Sequence, residues 1–316
     1  MSNAIKLKDF LTGTAAVKSD EGKAARERLQ KEAEENWGDS RWHREQAALI
    51  AEAVDLGFKN PEIFTGVLKF HTLGREDKLV RKIRKGLKVY TIAAGGYVDE
   101  STIHTDSVEA PRSPLAWHVV STPEEALADY AETLATLVSL AKQAEQVEIV
   151  RRQLTLLQEA AQSGDPNYAS APGGLTPEIV KAGLRHVADA ERPTGGIMPA
   201  DITIIGRAAV VDQVTDFTSF GFAPNVYEQI NETGYVGRFR GAKVVRLANF
   251  TDGDGNSYMP EDELWIVSND AGDYANFGAA RINNWTENSS DKTHWKSRRE
   301  TGGYITIPDA VYRITV

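Results

Sequence analysis

The stretch STPEEALADYAETLATLVSLAKQAEQVEIVRRQLTLLQEAAQ, residues 121–162, is the clearest single element of the sequence. Thr122 can cap a helix, Pro123 suits its first turn, and Glu125 completes a capping box. After Pro123, apolar residues recur every three or four positions with no glycine or proline between them. The pattern predicts one uninterrupted helix of about 60 Å, which is longer than a compact domain of this size needs.

A coiled coil is the alternative explanation for so long an apolar stripe, because Leu127 to Ala141 follows a three-four alternation. Between Ala141 and Val150 the apolar steps are three, three and three residues. Such steps break a heptad repeat, so the sequence favours a helix packed on a sheet.

The residues before this helix change in character along the chain. Lys23–Asn36 is helix-prone with few apolar residues, which is typical of an arm that contacts a neighbouring subunit. Trp42–Gly57 has a better apolar face for docking. The Lys and Arg residues concentrated between Arg75 and Lys88 predict a basic helix. Such a helix either contacts DNA or an acidic neighbour, or simply exposes its charged face to solvent.

Two strand-like runs follow, LKVYTIAA (87–94) and YVDESTIHT (97–105), separated by Gly95-Gly96. They predict a long β-hairpin. Its strands carry few large apolar side chains, so an isolated hairpin of this kind would be marginal in water. It needs another surface to lie on.

The residues after the long helix give an α+β pattern. Ser163–Gly174 is rich in Ser, Gly, Pro, Asn and Asp, and marks a linker or a domain edge. A short helix capped at Thr176 runs to about Asp189, and the strand DITII (201–205) then leads into a helix over 207–217. The remaining predicted strands are Tyr235–Arg240, Ala242–Ala248, Glu263–Asn269, Gly303–Pro308 and Val311–Val316.

The composition argues against several classes of protein. The chain has no cysteine, which rules out disulfides, thiolate metal sites and thiol nucleophiles. Its net charge of −9 argues against a protein whose main task is to neutralise phosphates. No apolar run approaches the roughly 18 residues of a membrane span, and the start MSNAIKLKDF lacks a secretion signal. We therefore expect a cytoplasmic protein without membrane contact.

The sequence also lacks the common motifs of catalysis. No phosphate-binding loop, dinucleotide-binding, metalloprotease or serine-hydrolase motif occurs, and the 6 histidines are scattered without metal spacing. We predict no catalytic, cofactor-binding or metal-ligating residues, and no cofactor.

One loop, TDGDGNSYMPEDE (251–263), merits separate consideration. It has oxygen-bearing side chains at the positions of a calcium-binding loop: Asp252, Asp254, Asn256, Tyr258 and Glu263. Ser257 stands where such a loop needs glycine, and strand-like runs flank it. The sequence therefore favours a hairpin turn rich in Asp and Gly.

The C-terminal half contains a strand, a tight glycine turn and a second strand in GYVGRFRGAKVVRLANF (234–250). An acidic loop and a further strand follow, in MPEDELWIVSN (259–269). This arrangement resembles a segment of the major capsid proteins of tailed bacteriophages, whose fold is shared with encapsulins. The residues that carry the resemblance are Gly237, Gly241, Val244 and Val245.

Other parts of the chain resemble the same fold in the same order. ITIIGRAAVVDQV (202–214) resembles the strand and helix of its axial domain, and the helix over 122–162 resembles its spine helix. The resemblance implies an α+β protein in five parts. They are an N-terminal arm (1–70), an extended hairpin loop with a flanking basic helix (71–121), the spine helix of a peripheral domain (122–164), an axial domain with mixed sheet and flanking helices (165–265), and strands returning to both domains (266–316).

The resemblance implies a structural protein and not an enzyme. Such a subunit forms hexamers and pentamers that close an icosahedral head around double-stranded DNA, in a virion assembled in a bacterial cytoplasm. The implied partners are a separately encoded scaffolding protein, a portal, in some members a decoration protein, and DNA contacted non-specifically. Some members join subunits through a Lys-Asn isopeptide bond. Lys85 or Lys88 would be the lysine here, but no Asn partner is identifiable, so we do not predict the bond.

Three alternatives stay open at this point. An encapsulin-like nanocompartment would enclose cargo enzymes in the same kind of shell. A soluble metal-dependent enzyme would use the loop Asp252–Glu263 and form a small oligomer. Another virion part, such as a tail protein, would form tubes or rings.

Overall fold

A computed structural model describes residues 20–37, 39–58, 67–85, 104–122, 124, 129–192, 201–217, 237–249, 257, 260–287 and 292–316. Its helices are α1 (Asp20–Asn36), α2 (Ser40–Phe58), α3 (Tyr130–Ala160), α4 (Pro177–Asp189) and α5 (Ala208–Thr215). Its strands are β1 (Lys69–Leu73), β2 (Val80–Lys85), β3 (His104–Glu109), β4 (Ser113–Ser121), β5 (Tyr168–Ser170), β6 (Ile202–Arg207), β7 (Arg238–Phe239), β8 (Ala242–Leu247), β9 (Glu263–Ser268), β10 (Gly272–Thr286), β11 (Thr293–Ile305) and β12 (Val311–Thr315).

One half of the fold is a six-stranded mixed sheet with strand order β5-β12-β9-β6-β8-β7. Ile204, Val244 and Ile266 lie on one face, in a core with residues of α4 and α5. Trp265 and Val267 lie on the other face, in a core with residues of α2 and α3. Because successive side chains of a strand point to opposite faces, β9 enters both cores and all of its residues are buried.

The other half is a four-stranded sheet with strand order β1-β10-β11-β4. β10 and β11 are antiparallel strands of 15 and 13 residues. From Thr293 to Thr301, every second residue of β11 is buried and those between are exposed or half-buried. α2 and α3 cover one face of this sheet. The other face is covered around Ala275, Phe277 and Tyr304 by Leu79 and Ala110, and is open to solvent around Trp285 and Arg298.

The long helix of the sequence is α3, and it begins later than predicted. Its N-cap is Asp129, whose side chain accepts a hydrogen bond from the backbone N–H of Glu132 at 3.1 Å. The predicted cap at Thr122 is therefore wrong for this helix, while Pro123 and residues 125–128 lie outside the described residues. The 31 residues of α3 make it about 46 Å long. α3 packs on α2 and on strands of the sheet, which confirms the preference over a coiled coil.

α1 and α2 pack inside the subunit. Trp42 of α2 is buried in the same core as α3, which confirms the docking face predicted for α2. The side chain of Gln30 in α1 accepts a hydrogen bond from the backbone N–H of Tyr130 at 2.9 Å. Apolar side chains of both helices are thus buried by their own chain, and the arm over 1–70 stays a prediction. Residues 1–19 lie outside the described residues.

Two antiparallel strands lie on either side of the predicted hairpin, of whose residues 87–105 only His104 and Thr105 are described. β2 and β3 pair antiparallel, from Val80 opposite Glu109 to Lys85 opposite His104. The predicted turn at Gly95-Gly96 lies outside the described residues. The flanking basic helix is wrong, because Val80–Lys85 is a strand held by its pairing with β3.

The glycine turn that carried the resemblance is confirmed. β7 and β8 pair antiparallel around Arg240 and Gly241, whose φ angles are 48° and 87°. A two-residue hairpin turn of this hand requires positive φ at both central positions, which explains the glycine.

The strands that flank residues 251–263 do not form a hairpin with each other. β8 and β9 are not neighbours, because β6 lies between them, parallel to β8 and antiparallel to β9. Most of the predicted turn lies outside the described residues.

Candidate assembly surfaces

A buried group of charges joins α3 to α2 and to the four-stranded sheet. Arg299 of β11 donates from Nε to Glu145 Oε2 at 3.1 Å and from Nη2 to Asp55 Oδ1 at 2.5 Å. Trp117 of β4 donates from Nε1 to the other oxygen of Glu145 at 2.8 Å. The side chains of Arg299 and Glu145 are each 1% exposed. Four elements distant in sequence are therefore fixed by one polar joint.

The joint has an excess of negative charge. Burial raises the pKa of Glu145, and the attraction of Arg299 and the hydrogen bond from Trp117 lower it only in part. Removing one partner of a buried ion pair leaves the other charge uncompensated, which is strongly destabilising. This group of charges, the Arg299 joint, therefore fixes the position of α3 on the four-stranded sheet. Sequence reasoning missed it, because its members lie too far apart to form a motif.

The base of the hairpin is held to the body of the subunit by Arg81. Its Nη1 donates to Asp270 O at 3.0 Å and to Thr306 Oγ1 at 2.8 Å, and lies 3.5 Å from Asp273 Oδ2. His71 of β1 is also within hydrogen-bonding distance of Asp273, at 2.9 Å. Strand β2 is thus anchored where β10 begins and β11 ends.

Two further cations near the hairpin base, Lys78 of the basic segment and Arg112 outside it, have partners in their own chain. Lys78 pairs with Glu109 across the hairpin base at 3.0 Å. Arg112 donates to the backbone carbonyls of Arg75 and Asp77. Much of the positive charge at the hairpin base is therefore engaged within the subunit. Contact of the segment 75–88 with DNA or an acidic neighbour stays a prediction.

An aromatic stack lies on the open face of the four-stranded sheet. The rings of Trp285 and His294 are parallel within 2°, with centroids 4.8 Å apart. The ring of His118 stacks on both, and its Nε2 lies 3.1 Å from Nδ1 of His294. Trp285 is still 45% exposed. This contact could not be predicted from the sequence, because His118 and His294 are separated by 176 residues.

Solved structures similar to this chain include phage capsids, at low sequence identity. The capsid of the native GTA particle is 10% identical with a TM-score of 0.54, covering 79% of this chain and 88% of that chain. The mature capsid of bacteriophage PhiM1 is 12% identical with a TM-score of 0.52, covering 80% and 86%. The head of Helicobacter pylori bacteriophage KHP40 is 9% identical with a TM-score of 0.55, covering 78% and 86%. No protein-family model matches the chain, and no curated protein has a significantly similar sequence.

The chain has the fold of tailed-phage capsid proteins. The mixed helix and strand content expected from the resemblance is confirmed with it. In this capsid fold, the Arg299 joint and the Arg81 anchor hold the long helix and the hairpin base on the four-stranded sheet.

The loop with calcium-loop spacing, Asp252–Glu263, is only partly described. Asp252, Asp254, Asn256 and Tyr258 lie outside the described residues. The carboxylate of Glu263 is buried and accepts a hydrogen bond from Arg313 of β12. Glu263 thus serves the six-stranded sheet, which argues against its use as the bidentate ligand of a calcium loop.

The described residues contain neither a metal-binding cluster nor a membrane-spanning helix. No group of three or more His, Asp or Glu residues in that part of the chain has the geometry to hold a metal ion. Within the same ranges, no helix is long and apolar enough to cross a membrane.

Proposed function

We propose that this chain is a major capsid protein, which assembles as hexamers and pentamers into the icosahedral head of a tailed phage around double-stranded DNA. The observation that carries the proposal is the capsid fold, matched over about four fifths of the chain. The proposed role is structural, and the five-part domain division stays a prediction.

The hairpin supports an assembled state. Its base is anchored by Arg81, and residues 86–103 continue from strands whose last described pair is Lys85 and His104. That continuation carries few large apolar side chains, so we expect it to be ordered by a neighbouring subunit. A hairpin that crosses to the next subunit would link copies around a ring or between rings.

The charge distribution supports weak, non-specific contact with DNA. Affinity for DNA rests on the release of counterions by Lys and Arg, and the net charge of the chain is −9. A shell wall that bound DNA tightly would also hinder its packaging and release. We further propose assembly in a bacterial cytoplasm, with a scaffolding protein, a portal and in some cases a decoration protein as partners.

The buried titratable groups favour a structural role over catalysis. Glu145 has a raised pKa, which in an enzyme would make it a candidate acid or base. Both of its oxygens accept hydrogen bonds from groups of the same joint, and its side chain is inaccessible to a substrate.

Electron microscopy of the purified chain, alone and co-expressed with its neighbouring genes, tests the proposal. We expect closed shells of uniform size, and DNA in those recovered from a productive infection. Shells that contain a protein cargo would favour the nanocompartment, tubes would favour a tail protein, and a small oligomer under all conditions would contradict a shell.

Deletion of Tyr90–Ile103 tests the hairpin separately. We expect a folded subunit with the wild-type circular dichroism and melting temperature that forms no closed shells, because the contact to the neighbour is lost. The control replaces the same residues with a Gly-Ser linker of equal length, which keeps the reach and removes the side chains. Normal shells from the deletion would contradict the role of the hairpin.

A further inference from the structure

The outer edge of β4 differs from the other edge strands in the described part of the chain. β4 has 9 residues, SPLAWHVVS, and none of them is Lys, Arg, Asp or Glu. It is the last strand of the four-stranded sheet, and no described strand pairs with its outer side. Exposed edges are normally kept short, charged or covered, because an unpaired row of backbone N–H and C=O groups pairs readily with another chain.

The remaining edges show these protective features. At the two edges of the six-stranded sheet, β5 and β7 have 3 and 2 residues. β1, at the opposite edge of the four-stranded sheet, has 5 residues and carries Lys69. The two-stranded sheet of β2 and β3 is rich in charge. β4 alone among these combines length with an absence of charge.

The start of β4 is covered by α3, and Leu115 and Ser121 are buried by their own chain. Arg152 of α3 donates to the carbonyls of Ser113 and Pro114 at 3.2 and 2.8 Å. Further along, Val119 and Val120 are 42% and 44% exposed although successive residues point to opposite faces. Both faces at this end of the strand therefore offer apolar surface, and Trp285 of the aromatic stack adds to it.

We propose that residues 115–121 of β4 pair, by strand addition, with an extended segment of a second copy of this chain. The proposal rests on the proposed function, since a shell supplies the second copy. Strand addition uses the backbone of the edge for affinity and the side-chain positions on its two faces for specificity. The two exposed valines provide such positions on both faces.

The chemistry of the edge selects this occupant. A strand without cations does not suit nucleic acid, whose affinity rests on Lys and Arg. An uncharged edge equally gives no charge complementarity to a strongly acidic or basic peptide. Every subunit carries the edge, and a second copy of this chain is present in the matching number.

Charge insertion provides the first test. Val119→Lys should lower the yield of closed shells by at least about tenfold, because an edge lysine is one of the features that keep strands unpaired. The isolated subunit should keep its melting temperature, since Val119 is already exposed. The matched control is Leu140→Lys, which places the same charge at an aliphatic residue of α3 that is 59% exposed. Shells from Val119→Lys at the wild-type yield, or equal losses in both variants, would overturn the proposal.

The second test uses the absence of cysteine in the chain. Val119→Cys carries a unique thiol, which is labelled with a photoactivatable maleimide before assembly from equal amounts of ¹⁵N-labelled and unlabelled subunits. We expect cross-linked peptide pairs of mixed isotope composition, which identify contact between copies. Shells without such pairs, or pairs with another protein, would overturn this proposal and leave the proposed function standing. Failure to form any oligomer would overturn both.

Discussion

The six-stranded and four-stranded sheets are stabilised in different ways. The six-stranded sheet has aliphatic residues such as Ile204 and Ile266 on its inner faces, and its buried carboxylate, Glu263, pairs with Arg313 of the adjoining strand. The four-stranded sheet buries Arg299 and Glu145 beneath its long helix. Apolar packing stabilises the six-stranded sheet, whereas the Arg299 joint fixes the geometry of the four-stranded sheet.

The edge strands of the two sheets also differ in length and charge. The six-stranded sheet ends in short strands on both sides, while the four-stranded sheet ends in the long, uncharged β4 and carries the exposed Trp285. The six-stranded sheet exposes only short edges, whereas the four-stranded sheet exposes a long edge and apolar side chains beside it. The six-stranded sheet therefore stabilises the subunit, and the four-stranded sheet carries the edge that we propose to bind a second copy.

The largest effect expected from this difference is at Arg299. Arg299→Leu should lower the free energy of unfolding by about 3–5 kcal/mol, because Glu145 and Asp55 would stay buried without their cation. Chemical denaturation of the unassembled subunit measures the change. Arg298→Leu is the matched control, since Arg298 lies one residue away on the open face and has only an exposed ion pair with Glu300. A similar loss in both variants would show that the joint has no special importance.

A smaller effect tests the packing of the six-stranded sheet. A Cβ atom at Gly183 of α4 would lie 2.7 Å from Ile266 Cδ1 and 2.8 Å from Tyr312 Cδ1. Gly183→Ala should therefore cost about 1–3 kcal/mol through overpacking, although alanine favours a helix. Differential scanning calorimetry gives the shift in melting temperature. Gly173→Ala, where the added Cβ meets open space, should change it little, and stabilisation by Gly183→Ala would contradict tight packing here.

The smallest expected effect concerns pH. Because burial raises the pKa of Glu145, this group favours the folded state most at pH values below its unfolded pKa of about 4.3. That contribution is lost as the pH rises through the folded pKa. Glu145→Gln removes the titration, so the stability of the wild type relative to the variant should fall as the pH rises from 4 to 7. Urea denaturation across this range measures the difference, and parallel curves for the two proteins would disprove the assignment.

The sequence predicted the six-stranded half better than the four-stranded half. The helix α4 begins after its predicted cap, with Thr176 Oγ1 accepting from the backbone N–H of Ile179 at 3.4 Å. β6, α5, β8, β9 and β12 also appear within a residue or two of their predicted bounds. Apolar periodicity is informative there, because the buried positions are aliphatic.

β10 and most of β11 were missed for the opposite reason. The buried residues of β11 between Thr293 and Thr301 include Ser297 and Arg299, so the alternation of the strand is not an alternation of hydrophobicity. Arg299 is stabilised by a partner more than a hundred residues away, Glu145. The candidate surfaces were hidden likewise, because the Arg299 joint and the contact of His118 with His294 exist only after folding.

The Arg299 joint also sets an order of events during synthesis. Arg299 follows Asp55 by 244 residues and Glu145 by 154 residues. At a translation rate of about 5–20 residues per second, roughly 12–50 s pass between the appearance of Asp55 and that of its cation. During this interval the helices emerging from the ribosome cannot lock onto a finished sheet, since β10 and β11 are not yet made. A nascent subunit is therefore unable to form the complete four-stranded sheet, including the β4 edge, until β10 and β11 have been synthesised.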